Sequence, residues 1–180
     1  MKTLTIRRHA QRTKPGQNLS QQGVDLAKSI GLDQVRFNCV ATANIPRAIQ
    51  TAITFGHEVT MLDDALGHLP RSVFDKCAWP SSFAEMSLAL SRHKSVASFA
   101  QKQADLWSDI ANQIPELGSA LIITHGAIIE LGMLASLPEE NHVTWGTAIG
   151  YCEGMRLRFD SNKITGEILR VPDEFHQIET

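Results

Sequence analysis

Cysteine is scarce in this chain, three residues in 180. Cys39, Cys77 and Cys152 are odd in number and widely spaced, which argues against a disulfide framework and against the paired spacing of a zinc site. Buried, reduced thiols and no metal are the expectation. Charge of one sign is lacking too: 17 Lys and Arg against 19 Asp and Glu leave a net charge of -2, without the broad basic field that a nucleic-acid partner selects. Any cationic site must therefore be local. No apolar run approaches the length of a membrane span, and only residues 4–6 begin such a run before Arg7 and Arg8 interrupt it. A cytoplasmic chain without a signal peptide or membrane partner is expected. Glycine-rich phosphate loops are missing as well, with neither Gly-x-Gly-x-x-Gly nor Gly-x-x-x-x-Gly-Lys-Ser/Thr present, which disfavours a nucleotide-binding module. Nor does any stretch read as a repeat, a heptad array or a linker.

What is present suits one ordinary domain over residues 1–180, with a hydrophobic share of 43% and a charged share of 20%. An apolar, β-forming start runs into Arg7, Arg8, His9 and Arg12 and breaks at Lys14-Pro15-Gly16, so a buried strand ends in a cationic loop. Arginine forks match phosphate or carboxylate oxygens, and a neutral histidine beside them can act as nucleophile or base. Solvated arginines at strand ends are common, so the stretch needs echoes elsewhere.

The echoes come in order along the chain. Residues 21–30 read as a helix with Ser20 as its N-cap and Gly31 as its stop; Gly23 inside it implies close backbone packing or a later start. A strand over 35–43 precedes a helix with Asn44 as cap, Pro46 in the first turn and Gly56 as terminator, which puts Arg47 at a helix N-terminus after a strand. Residues 58–62 read as a short strand and 63–80 as an irregular excursion over the sheet edge. Helices near 82–92 and 95–114 follow. Residues 118–124 form the clearest buried strand, ending in Thr124-His125-Gly126 before an apolar helix over 127–137. The tail suggests one more core strand around 146–152 and an antiparallel hairpin. In a mainly parallel sheet the ends of these strands share one edge, where Arg8, His9, Arg12, Arg47 and His125 can meet around one anion.

As a set these motifs resemble the histidine phosphatase superfamily, the phosphoglycerate-mutase-like family. The resemblance rests on Arg8-His9, on Leu19-Ser20-x-x-Gly23-x-x-x-Ala27, on Thr42-Ala43 followed by Arg47-Ala48-x-Gln50-Thr51-Ala52, and on Thr124-His125-Gly126. It implies an α/β three-layer sandwich with a central, mainly parallel sheet and helices on both faces. It also implies a metal-independent, cofactor-free phosphatase in which His9 becomes a transient phosphohistidine while Arg8, Arg47 and His125 hold the phosphoryl oxygens. Arg12 matches loosely an arginine of the acid phosphatase and phytase branch.

Two departures from the family pattern stand out. Ala10 occupies the position of the family's glycine after Arg-His. Leu66-Gly67-His68 stands where the mutase and small-molecule phosphatase branch carries Leu-x-Glu, and His125-Gly126 stands where the acid phosphatase branch has His-Asp. The general acid is thus open among His68, Asp64 and Glu85. Compact size and the lack of a strong donor resemble the small phosphohistidine phosphatases of the family. The implied substrate is a phosphorylated small molecule or a phosphoprotein, as a phosphate monoester or phosphohistidine. The alternatives are a non-catalytic phosphate-binding regulatory domain and a mutase-type phosphotransferase.

Overall fold

The apolar start of the chain forms β1 (Lys2–Arg8), which is buried continuously from Leu4 onward. The structure, a computed structural model, describes residues 1–32, 35–160 and 163–178. Five further strands complete one sheet: β2 (Cys39–Thr42), β3 (Met61–Leu62), β4 (Ser119–Thr124), β5 (Gly154–Asp160) and β6 (Lys163–Leu169). Their order is β3-β2-β4-β1-β5-β6, with the first four parallel and β5 and β6 forming the antiparallel hairpin expected of the tail. The helices are α1 (Gln21–Ser29), α2 (Pro46–Thr54), α3 (Arg71–Cys77), α4 (Phe83–Arg92), α5 (Lys94–Gln113) and α6 (Ile128–Ser136). Unbroken burial along β1 and β4 requires cover on both faces of the sheet; α1 packs with α2 as one layer, and α3 to α6 pack together as the other.

Local chemistry accounts for both ends of α1 and the start of α4. The Ser20 hydroxyl accepts from the Gly23 N–H at 3.0 Å at the start of α1, and Gly31 takes φ +68 just past its end. Gly23 is needed for close approach: a Cβ there would lie 2.2 Å from the Gln11 carbonyl oxygen. Ser82 and Glu85 close a reciprocal capping box on α4. At α2 the expected Asn44 cap is displaced by one residue. Ile45 is the N-cap, without a side-chain bond, because its N–H turns back to the Ala43 carbonyl at 2.8 Å and leaves Asn44 exposed.

Two expectations are corrected. Residues 63–80 are not irregular throughout: they hold a short 3-10 turn at Asp64–Leu66 and all of α3, whose seven residues bury only Val73 and Cys77 and so carry too little pattern to be read. Residues 146–152 are not a strand. Their apolar side chains are buried, but their backbone bonds side chains near and far, and the Gln177 carbonyl, instead of a ladder. Glu130 takes the Ile149 N–H, Glu153 the Gly150 N–H, Arg8 the Ile149 carbonyl and Arg7 the Cys152 carbonyl. Of the cysteines, Cys77 and Cys152 are buried thiols as expected, whereas Cys39 is half-buried. Among the described residues no helix is long and apolar enough to cross a membrane.

Gly23→Ala tests the close approach of α1 to the loop after β1. It should destabilise the protein by about 1–3 kcal/mol despite the better helix propensity of alanine. Denaturant unfolding would read this as a lower midpoint at unchanged slope; an unchanged midpoint would show that the loop yields freely.

Candidate active site

The register of β1 on β4 sets the site. Arg8 pairs with Thr124 across the parallel ladder, so His9 and His125 leave adjacent strand ends at the same level. The His9 N–H donates to the Thr124 carbonyl at 3.0 Å, and the two imidazole centroids are 4.8 Å apart. Arg47, in the first turn of α2, reaches between them. Its Nε–H donates to His9 Nε2 at 3.1 Å, and its Nη2 lies 3.2 Å from His125 Nδ1. The structure thus brings His9, Arg47 and His125 together from three chain segments.

Hydrogen bonding assigns the tautomer of His9. Its Nδ1–H faces the Ala10 carbonyl at 2.7 Å, which leaves Nε2 with the lone pair that Arg47 meets. Ala10 fits without strain: it is fully buried, and its φ lies outside the left-handed region. Its N–H donates to the Thr51 hydroxyl at 2.9 Å, and that hydroxyl donates to the Arg47 carbonyl at 2.6 Å. One threonine therefore ties the His9 loop to the helix that carries Arg47.

Arg8 is 2% exposed and lies on the opposite side of β1 from Arg7. Its Nη1 donates to the Ile149 carbonyl at 2.9 Å, and its guanidinium carbon sits 4.2 Å from the ring centroid of Tyr151 and 4.8 Å from that of Trp79. Arg7 points away, to the Cys152 carbonyl at 2.7 Å, and burial lowers its pKa to about 10. Trp79 also explains Gly126, where a Cβ would fall 2.2 Å from the indole Cζ2. Ala127, next in the chain, holds φ 64 and ψ -42 at the start of α6, a conformation sparsely populated by residues with a Cβ.

The remaining sequence candidates lie outside this cluster. The Arg12 guanidinium bonds its own loop, at 2.7 Å to the Gly16 carbonyl, and acts on the site through its charge, which lowers the pKa of Arg47 after burial has done so. Gln17, from the same loop, accepts a hydrogen bond from Arg47 Nη1. Glu85 is corrected as a proton donor. Its carboxylate caps α4, accepting from the Ser82 N–H and hydroxyl at 2.8 Å each, and those bonds hold its pKa below the usual carboxylate range, so it is ionised at neutral pH. Asp64 is exposed in the 3-10 turn. His68 is exposed but follows Gly67, at which a Cβ would come within 3.3 Å of His125 Nε2. Sequence reading missed Trp79, Tyr151 and Glu130, of which only Glu130 left a signal: a lone carboxyl in an otherwise apolar helix.

Electrostatics keep both imidazoles neutral. Burial, then the His125 ring and the flanking arginines, hold His9 well below its ordinary pKa of 6.5. Burial followed by Arg47 and Arg8 takes His125 to about 3. Two neutral rings and two buried or half-buried guanidiniums form a cluster whose chemistry suits an anion, with one imidazole nitrogen that can serve as a base or nucleophile.

No family model matches the sequence, and no curated protein does. Solved structures match it along almost the whole chain. A phosphoserine phosphatase from Entamoeba histolytica, in complex with 3-phosphoglyceric acid, is 17% identical with a TM-score of 0.72, covering 95% of this chain and 98% of that one. A phosphoglycerate mutase from Bacillus anthracis is 15% identical at TM-score 0.63, over 93% and 92%. A mycobacterial glucosyl-3-phosphoglycerate phosphatase is 18% identical at TM-score 0.64, over 93% and 98%. The chain has the phosphoglycerate-mutase-like α/β fold of the histidine phosphatases.

A pH dependence of stability follows. His125 has a folded pKa near 3 against 6.5 when unfolded, so the unfolded chain binds the extra proton as pH falls. This contribution is complete above pH 6.5 and is lost toward pH 3, at about 1.4 kcal/mol per pH unit. Between pH 6.5 and 5, His125→Gln should therefore lose about 2 kcal/mol less than wild type in denaturant unfolding. Parallel losses in the two proteins would contradict the assignment.

Proposed function

We propose that this chain is a metal-independent phosphatase that hydrolyses a phosphate monoester or phosphohistidine through a phosphohistidine on His9. One observation carries the reading: His9 Nε2 bears its lone pair beside Arg47 and His125, in a tautomer held by the Ala10 carbonyl. The neighbours support it further, being phosphatases and a mutase that share the fold.

In the proposed reaction a phosphoryl group enters between the two imidazoles and takes the donors of Arg47, with Arg8 and His125 at its other oxygens. The Nε2 lone pair forms the P–N bond as the bond to the leaving group breaks. The guanidiniums hold the charge on the equatorial oxygens through the transition state, in a buried setting where such contacts are strong. Water then attacks phosphorus and returns His9 to its neutral form, releasing inorganic phosphate. We assign proton donation to His68, which stands beside Gly67 at the His125 edge and replaces Glu85 in that role. Leaving groups of low basicity, an imidazole among them, need this proton least.

His9→Ala should lower turnover of an aryl phosphate at least about a thousandfold and abolish the acid-labile phosphoenzyme trapped by rapid quench, with the fold intact. Arg47→Ala should weaken phosphate binding by about 10- to 100-fold, the worth of charge-assisted hydrogen bonds. Undiminished His9→Ala activity would remove the mechanism, whereas phosphate binding by the wild type without any turnover would leave an anion-binding domain. His68→Ala should slow alkyl phosphates more than activated aryl phosphates; equal slowing would place the donor elsewhere.

A further inference from the structure

We infer that Glu130 is a positioning residue for Arg8, acting through the two groups that hold the guanidinium; this rests on the anion site described above. Glu130 is fully buried in the first turn of α6, five residues beyond His125. Its Oε1 accepts two hydrogen bonds, from the Trp79 indole N–H at 3.0 Å and from the Ile149 backbone N–H at 2.9 Å. These are the residues that cage Arg8. The Trp79 ring faces its guanidinium at 4.8 Å, and the Ile149 carbonyl accepts from its Nη1 at 2.9 Å.

One carboxyl oxygen thus joins three distant segments: the chain before α4, the first turn of α6 and the irregular loop before β5. None of them is braced there by a sheet ladder. Residues 146–152 form no strand, and Trp79 lies between α3 and α4. Without Glu130 the Ile149 N–H and the indole N–H would each be buried without that acceptor, and both segments would move to find another. Arg8 would lose its carbonyl and one aromatic wall together.

The hydrogen-bond pattern agrees with an anchoring role. Oε2 has no hydrogen-bond partner among the described residues, and burial raises the carboxyl pKa. Oε1 offers two lone pairs, matched by the two donors. A glutamine amide oxygen supplies the same two acceptors. A carboxylate that served through its charge would not tolerate that replacement.

The test is binding of inorganic phosphate by calorimetry, alongside the 15N-labelled guanidinium signal of Arg8, assigned by its loss in Arg8→Lys. Glu130→Ala should weaken binding tenfold or more and broaden or displace the Arg8 signal, while Glu130→Gln should stay within about threefold of wild type with the signal in place. Trp79→Phe, which keeps a ring but removes the donor, should weaken binding several-fold; this variant decides the matter if Glu130→Ala does not fold. Folded Glu130→Ala with wild-type affinity, Glu130→Gln as impaired as Glu130→Ala, or Trp79→Phe without effect would each overturn the inference. A wild type that binds no phosphate would overturn the anion site itself, and this inference with it.

Discussion

The parallel register of β1 on β4 is the constraint on which the site depends. Arg8 opposite Thr124 places the two histidines side by side, and a slip of one residue would turn each alternate side chain to the other face of the sheet. Arg7 and Arg8 show what is at stake. They are neighbours in sequence, yet one serves the backbone of the β5 approach at Cys152 and the other sits between two aromatic rings beside His9. Continuous hydrophobic burial of Leu4 and Ile6 against the core, with residues 120–123 of β4 beside them, holds that register. The geometry of the candidate site is in this sense a by-product of core packing.

Burying a guanidinium is costly unless its donors and its charge are met. Arg8 is met by a carbonyl and by two π faces, and burial still lowers its pKa. The histidines respond in the opposite way to a carboxylate environment: crowded by cations and removed from water, they stay neutral. The same crowding that keeps His9 unprotonated makes the pocket attractive to a dianion. In the proposed mechanism, nucleophile activation and anion affinity thus share one electrostatic cause.

Much of this was legible in the sequence where the determinants are local. Ser20, Gly31, Ser82 and the apolar run before Thr124 specify helix ends and a buried strand through neighbours a few residues away, and the cationic residues gather because parallel strand ends share an edge. What escaped is non-local. Residues 146–152 look like a strand because they are apolar, but their backbone partners include side chains from β1, α6 and Arg170 past β6, which no short window of sequence contains. Glu85 is a local exception: Ser82-x-x-Glu85 has the spacing of a capping box, and its two bonds to Ser82 remove it as an acid. The resemblance in motifs carried Ala10 as a departure, and the structure resolves it: with φ outside the left-handed region, a methyl costs nothing there.

Arg47 links the resting site to the proposed chemistry. Its donors lie on His9 Nε2 and His125 Nδ1, an arrangement open only to neutral imidazoles, since a protonated ring has no lone pair to offer. The guanidinium therefore covers the very nitrogen that would attack. An entering phosphoryl group competes for the same N–H donors with charged oxygens, which make the stronger acceptors. As those donors transfer, the Nε2 lone pair is uncovered next to phosphorus. In the proposed reaction, the group that meets the His9 lone pair thus becomes the group that stabilises the charge on what His9 attacks.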